Sequence, residues 1–246
     1  MAGRLSGIKL TSVSLTYRRD DVDKSVNVVL GYTNQTVSYE LIGTVGYIKI
    51  SAFYKNTLNQ LEKAVDQLKK EGAKSLVFDV RSTYDGTIEY TCRVIDYLVP
   101  TATEGNKALA TLVDKNGNNV KTYSSDAKDI TMPMAVLINS DTAGYGELFA
   151  CDLKDFGKAF LIGEKTAGRA DVQETFELSD GGGAVVLTTS KMLPYISESF
   201  DGKGLTPDTE IILADSLREN LSTLEKDRDT QLQAAISMLA DNSSEG

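Results

Sequence analysis

An α/β fold built from βαβ units is predicted by three features of the chain. An amphipathic helix pattern over 56–71 separates two apolar strand-like runs, which is typical of a βαβ unit with parallel strands. An apolar run at 135–138 passes through a polar turn into a second helix pattern over 146–156, and another apolar run follows at 159–162. Alternating strand patterns with glycine-rich turns flank these units. Together they predict parallel strands connected by helices.

The elements are predicted in chain order from their periodicity. Residues 9–30 read as a β-hairpin with a charged turn at 18–23. The helix over 56–71 has Asn56 or Thr57 as its cap and ends at Gly72. The other predicted elements are strands at 37–42, 45–50 and 75–80, a helix over 88–99, a strand pair over 111–123 around an Asn-Gly turn, a hairpin over 173–190 and a helix at 231–236.

A sharp strand-to-helix turn lies at the centre of this layout. It reads NSDTAGYGE over 139–147, and the loop GEKTAGRA follows at 163–170. Such a turn exposes one residue beside the free N–H groups of a helix N-terminus, which is a suitable place for a nucleophile. The two segments resemble motifs of the carboxyl-terminal processing (tail-specific) serine peptidases. By that resemblance, Gly144 stands at the nucleophile position, Arg169 at the position of the lysine base, and Gln173 at that of a glutamine.

The residues at the two main positions differ from those of the resembled family. A serine hydroxyl needs a neutral amine beside it, which a desolvated lysine supplies. Glycine has no oxygen, and arginine stays protonated above about pH 12. The dyad is therefore expected to be inactive in this chain. Rescue by Thr142 with Lys165, or by Ser140, is a weaker alternative; otherwise Thr142 caps the helix and Lys165 is a solvated charge.

The segment DVRSTYDG at 79–86 resembles the loop that completes the oxyanion hole in that family. The resemblance assigns the two N–H donors to Gly86 and Tyr145. A carboxylate at Asp85 would repel a developing oxyanion, although Asp85-Gly86 could equally be a simple turn. Asp79 and Arg81 are interpreted as a structural ion pair.

Further matching segments are LSDG at 178–181, GKGLTPD at 202–208 and QLQAAI at 231–236, so the resemblance covers about residues 9–240. It implies the α/β core shared with the Clp peptidase and the crotonases. It also divides the chain into a partial PDZ-like hairpin at 1–34 and a peptidase core with a C-terminal helix at 35–246. The carboxylate-binding loop of a PDZ domain is missing from the sequence.

Composition excludes several classes of function. The 246 residues carry a net charge of −9 without a basic stripe, which argues against nucleic acid as a partner. The sequence contains no histidine, which excludes Ser-His-Asp and Cys-His catalysis. We expect no cofactor, no metal site and no membrane segment. Cys92 and Cys151 are interpreted as buried free thiols, with a disulfide or a nucleophilic role as alternatives.

Two functional hypotheses follow. The first is that the chain is a member of the C-terminal processing peptidases, which act on protein or peptide C-termini, and that both residues of its catalytic dyad are replaced. The second is a non-catalytic peptide- or ligand-binding module in which Arg169 holds a carboxylate. Acyl-CoA chemistry has only fold-level support. The resemblance implies an extracytoplasmic or cell-envelope location, although the N-terminal MAGRLSGIKL reads as neither a signal peptide nor an anchor.

Overall fold

The computed structural model of the chain describes residues 12–19, 21–29, 35–100, 108–125, 130–179 and 182–242. The chain divides into two compact units between Gln35 and Thr36. The first unit contains an antiparallel hairpin of β1 (Ser12–Arg19) and β2 (Val22–Val29). The predicted hairpin over 9–30 is confirmed across these strands, and its remaining positions at 9–11, 20 and 30 lie outside the described residues.

The second unit is organised around a six-stranded sheet. Its middle strands are parallel, as the βαβ pattern predicted, and β3 pairs antiparallel at one edge. The sheet order is β12-β9-β8-β5-β4-β3. The strands are β3 (Val37–Ile42), β4 (Val45–Ile50), β5 (Ser75–Asp79), β8 (Met134–Ile138), β9 (Ala159–Gly163) and β12 (Thr209–Glu210).

Helices cover both faces of this sheet. One face packs against α1 (Thr57–Lys70), α2 (Ile88–Leu98) and α3 (Tyr145–Asp155), and the other against α5 (Thr230–Asn242). A short helix, α4 (Asp215–Arg218), precedes α5. Side chains alternate along each strand, so Ile48 and Phe78 face one layer while Tyr47 and Val77 face the other. Every residue of β5 and β8 is buried, because both faces of these strands are covered.

A second sheet of four strands lies in the same unit, in the order β10-β11-β6-β7. It contains β6 (Ala108–Val113), β7 (Asn119–Ser124), β10 (Asp171–Glu177) and β11 (Ala184–Leu193), all paired antiparallel. The predicted turn between β6 and β7 is present, with Gly117 at φ 81° and its N–H donated to the Asp114 carbonyl. The hairpin of β10 and β11 was predicted, but its pairing with β6 was not.

A buried ionic network joins the C-terminal helix to the sheet. Arg81 forms ion pairs of 2.7 Å with both Asp79 and Asp229, and it donates to Gln231 at 2.9 Å. The Tyr47 hydroxyl donates to Asp79 at 2.6 Å. The predicted structural pairing of Asp79 with Arg81 is therefore confirmed, and it extends to a partner 148 residues away.

The loops after the parallel strands β4, β5, β8 and β9 lie at the same edge of the sheet because these strands run in one direction. Open α/β sheets bind ligands at the carboxyl ends of their strands. The loops at 80–87, 139–144 and 164–170, which contain Gly86, Gly144 and Arg169, therefore lie at this edge of the sheet. No helix among the described residues has both the length and the apolar character required to cross a membrane.

Candidate active site

The turn between β8 and α3 has an unusual backbone conformation at its last residue. Gly144 directly precedes α3 with φ 54° and ψ −108°, a combination that residues with a Cβ rarely adopt. The N–H of Tyr145, the first residue of the helix, donates to no described residue. Gly146 packs closely, since a Cβ there would lie 2.4 Å from the Thr83 carbonyl oxygen. The predicted sharp strand-to-helix turn is therefore present.

Hydrogen bonds fix the residues before Gly144. Thr142 is fully buried, and its hydroxyl accepts the Asn139 N–H at 3.0 Å and donates to the Val80 carbonyl at 3.0 Å. The expectation that Thr142 caps α3 is wrong, because its oxygen bonds within the turn and no side chain caps the helix at Gly144. Lys165 is exposed in the neighbouring loop. This arrangement does not support a nucleophile at Thr142.

Glu147 connects the two loops that carry the predicted dyad positions. Its carboxylate is completely buried and accepts the Gly144 N–H at 3.0 Å and the Arg169 N–H at 2.8 Å. It also accepts the Gly168 N–H at 2.7 Å and the hydroxyl of Thr166. One carboxylate thereby bonds the backbone at both ends of the site, and it makes four hydrogen bonds with no cation among its partners.

A cavity of about 170 Å³ opens beside this turn. It brings together four of the predicted site residues, Gly144, Tyr145, Arg169 and Gln173. A Cβ placed on Gly144 would lie 3.7 Å from the Arg169 carbonyl oxygen, so the two backbones are close. The lining residues are Tyr84, Ala143, Gly144, Tyr145, Arg169, Asp171, Gln173 and Met192.

The structure does not bring Gly86 to this cavity. The N–H of Gly86 donates to its neighbour, the Asp85 carboxylate, at 2.9 Å. Gly86 packs against Phe53 instead, where an added Cβ would lie 2.6 Å from the Phe53 carbonyl oxygen. Of the two residues expected to supply oxyanion donors, only Tyr145 lines the cavity in this conformation. The N–H of Gly86 is hydrogen-bonded to the Asp85 carboxylate instead.

Charges near the cavity are predominantly negative. The side chain of Tyr145 is mostly removed from water, which raises the pKa of its hydroxyl, and the carboxylates of Asp171 and Asp85 raise it further. Asp85 also accepts the hydroxyl of Tyr54, and this hydrogen bond raises the pKa of Tyr54 to about 12. The exposed Arg169 guanidinium makes no ion pair with a described residue. It is the cavity's one cationic side chain among the described residues.

The cysteines lie outside the cavity. Cys92 in α2 and Cys151 in α3 are both buried and free, so the alternative of a disulfide is wrong. Burial raises the pKa of both thiols, and the carboxylates of Asp152 and Asp155 raise that of Cys151 further. A thiolate nucleophile is disfavoured at both positions.

Comparison with known proteins identifies the family of this chain. The model of peptidase family S41 matches residues 44–211. The chain belongs to this family. It is 30% identical over 217 residues to the carboxy-terminal processing protease CtpA of Bacillus subtilis, covering 86% of this chain and 45% of the relative. It is 29% identical to the carboxyl-terminal-processing protease of a Picosynechococcus strain, covering 97% of this chain and 57% of the relative.

Solved structures of S41-type proteases share the fold. The photosystem II D1 C-terminal processing protease superposes with a TM-score of 0.63 at 23% identity, covering 84% of this chain and 57% of that one. Mature CPAF superposes with a TM-score of 0.57 at 14% identity, covering 95% and 68%. The predicted α/β core and the family resemblance are confirmed. The chain spans about half the length of the curated relatives it matches.

The role of Glu147 in the S41 fold was not predicted from the sequence. Its position inside the motif NSDTAGYGE was visible, but three of its four partners lie 19 to 22 residues later in a different loop. The available signal was a carboxylate in the first turn of a helix, directly before the apolar run at 148–151. Such a residue must find donors when it is buried.

Replacing Glu147 with glutamine is expected to lower the free energy of unfolding by about 2 kcal/mol, because the amide NH₂ would face backbone N–H donors that need an acceptor. Urea unfolding of the variant measures this change. The matched control is Glu174→Gln, which alters an exposed carboxylate and is expected to have little effect. Equal stability of the two variants would contradict the role assigned to Glu147.

Proposed function

We propose that this chain carries the substrate cleft of a C-terminal processing peptidase and does not hydrolyse peptides as it stands. The observation that supports this proposal is the set of side chains that line the cavity. Among the described residues that line it are two tyrosines, one glutamine and one arginine, but no serine, threonine or lysine. The cleft therefore lacks both an aliphatic hydroxyl and an amine that could deprotonate it.

The proposed inactivity follows from the residues at two positions. Gly144 has no side-chain atom to attack a carbonyl, and a guanidinium, unlike the amine of a lysine, does not serve as a general base in proteins. Loss of the nucleophile alone has cost about a millionfold in rate in a serine protease. Restoring both residues, Gly144→Ser with Arg169→Lys, and measuring cleavage of an unstructured protein tests the proposal.

The remaining assignments belong to the same proposal. The partners are protein or peptide C-termini, and the location is outside the cytoplasm. The hairpin within residues 1–34 is PDZ-like, and residues 35–246 form the peptidase core. The names of the relatives support the assignment of the partners, since they are called carboxyl-terminal processing proteases.

A second candidate is binding without hydrolysis, and the unpaired Arg169 guanidinium favours it. A guanidinium forms two parallel hydrogen bonds with a carboxylate, such as the C-terminus of a peptide. The N–H of Tyr145 lies in the same cavity and can donate to the same anion.

Under this second candidate, Arg169→Ala is expected to weaken binding of a peptide with a free C-terminus by roughly tenfold or more. Fluorescence anisotropy with a labelled peptide measures the affinity, and the amidated peptide should already bind weakly to the parent chain. Lys165→Ala is the matched control, because it removes an exposed cation of the same loop that does not line the cavity. Unchanged affinity in Arg169→Ala would reject carboxylate binding by this residue.

A further inference from the structure

Strand β10 is an edge strand, and no strand of the described part of the chain pairs with its outer side. In the four-stranded sheet it pairs with β11 on one side and is the last strand on the other. The residues Gln173, Thr175 and Glu177 have no hydrogen bond to any described residue beyond this pairing. An edge of this kind offers a row of free N–H and C=O groups to another extended chain.

The register identifies which groups point outward. The Leu178 N–H donates to the Gly183 carbonyl at 2.9 Å, so these two residues form a hydrogen-bonded pair. Hydrogen-bonded and non-bonded pairs alternate along an antiparallel ladder. Thr175 and Val186 therefore form a non-bonded pair. The pair of Gln173 with Thr188 and the pair of Glu177 with Ala184 are also non-bonded. The N–H and C=O groups of these three β10 residues face away from β11.

This open edge begins inside the candidate active site. Asp171 and Gln173 line the cavity beside Gly144, and the rest of β10 leads away from it. From Gln173 to Glu177 the strand extends about 13 Å. A peptide that pairs with this edge would therefore continue into the cavity where Gly144 and Arg169 lie.

One face of the same hairpin exposes apolar side chains. Phe176 lies opposite Val185, and Leu187 is two residues further along the same face. They are 45%, 39% and 51% exposed, and Leu178 at the hairpin end is 46% exposed. A strand added to β10 would place every second side chain on this face, beside Phe176 and the adjoining Leu178, with Val185 and Leu187 one strand further away.

We propose that the outer edge of β10 binds an extended segment of the protein substrate as an additional β-strand, with apolar side chains at alternate positions beside Phe176 and Leu178. This inference rests on the proposed function, because it names how the substrate of that cleft is held. Main-chain hydrogen bonds supply affinity in this mode of binding, and alternate side chains supply selectivity.

Charge favours a substrate segment over a second copy of the chain. Strand β10 reads DVQETFE and carries three carboxylates and no basic residue. Two β10 edges paired with each other would bring these carboxylates together, which destabilises cross-strand pairing. An uncharged or basic segment avoids this repulsion.

A matched pair of proline variants tests the assignment of the edge. Thr175→Pro removes an outward N–H from β10, and Val186→Pro removes the N–H directly opposite, which faces the other edge of the hairpin. Neither N–H takes part in the pairing of β10 with β11. The probe is a labelled peptide of about ten residues that alternates leucine with serine, and its affinity is measured by fluorescence anisotropy.

Thr175→Pro is expected to weaken binding by at least about tenfold, while Val186→Pro stays within about twofold of the parent chain. Equal effects of the two variants, or a larger effect of Val186→Pro, would overturn the proposal. Circular dichroism shows whether each variant is folded.

A measurement on the parent chain decides the matter even where a proline variant unfolds. Two versions of the peptide carry N-methyl groups on the amides of either the leucine or the serine positions. Only one version is expected to lose binding, because only one set of amides faces β10. Equal binding of both versions would overturn the proposal.

These binding results are separable from hydrolysis. Binding that depends on Thr175 without cleavage by the Gly144→Ser, Arg169→Lys variant would retain the edge and reject the proposed peptidase cleft. Cleavage by this double variant that is unaffected by Thr175→Pro would retain the proposed peptidase cleft and reject substrate binding at the edge of β10.

Discussion

The double variant Gly144→Ser with Arg169→Lys is expected to cleave an unstructured protein at least about a thousandfold faster than the parent chain. The serine supplies the missing hydroxyl, and a lysine can lose its proton when substrate binding desolvates it. Cleavage is measured by gel electrophoresis and mass spectrometry of the products. Because both groups are needed, each single variant is expected to remain at the level of the parent.

The structure has room for this serine. A Cβ on Gly144 would have its nearest neighbours at 3.7 and 3.8 Å, which are ordinary contacts. The φ of 54° would strain the serine by about 1 to 3 kcal/mol. The nearby carboxylates of Asp85 and Asp171 hold a lysine charged, so we expect activity below that of an intact member of the family. Cleavage by Gly144→Ser alone at the rate of the double variant would show that Arg169 is not at the base position.

Replacement of Arg81 with methionine is expected to lower the free energy of unfolding by about 3 to 5 kcal/mol. The variant keeps the volume but leaves Asp79 and Asp229 buried without their cation. Asp229 also accepts the N–H of Leu232 at 3.1 Å at the start of α5, so the loss should loosen this helix. Urea unfolding at neutral pH measures the change.

The control for Arg81→Met is Arg93→Met. Arg93 pairs with Glu89 at 2.7 Å, but its side chain is 59% exposed and that of Glu89 is 48% exposed. Exposed ion pairs contribute little, so the expected change is below about 0.5 kcal/mol. A comparable loss in both variants would contradict the distinction between the buried network and the surface pair.

The effect of Arg81→Met should also depend on pH. Burial alone would raise the pKa of Asp79, but the charge and hydrogen bonds of Arg81 outweigh it and lower the pKa from 3.8 to about 2. A carboxyl group with a lowered pKa stabilises the fold above its unfolded pKa, and this contribution is lost as pH falls through the folded value. The difference between parent and variant is therefore expected to be largest near neutral pH and to narrow on acidification.

Most of the central sheet was predictable because its elements carry strong local signals. The apolar strand at 75–80 and the helix at 56–71 follow simple periodicities, and the structure places them at Ser75–Asp79 and Thr57–Lys70. The order of strand, helix and strand then implies parallel pairing. The strand-to-helix turn at 139–147 was recognisable because its glycines lie at the start of the helix in the sequence.

Contacts between distant segments were not predictable. Arg81 pairs with Asp229, β11 pairs with β6, and Glu147 accepts hydrogen bonds from Thr166, Gly168 and Arg169. Each of these contacts joins residues that are far apart in the chain. The hydrogen bond from the Gly86 N–H to the Asp85 carboxylate was also not predictable. Sequence places Asp85 next to Gly86, but only the folded loop shows the carboxylate accepting that N–H.

The proposed inactivity of the cleft is tested most directly on the unaltered chain. Purified protein is incubated with an unstructured protein substrate, and the products are analysed by mass spectrometry over many hours. We predict that the substrate stays intact, because the described residues lining the cavity offer neither an aliphatic hydroxyl nor a lysine amine. A cleavage activity that copurifies with this chain and cuts near the substrate C-terminus would contradict the proposed inactivity.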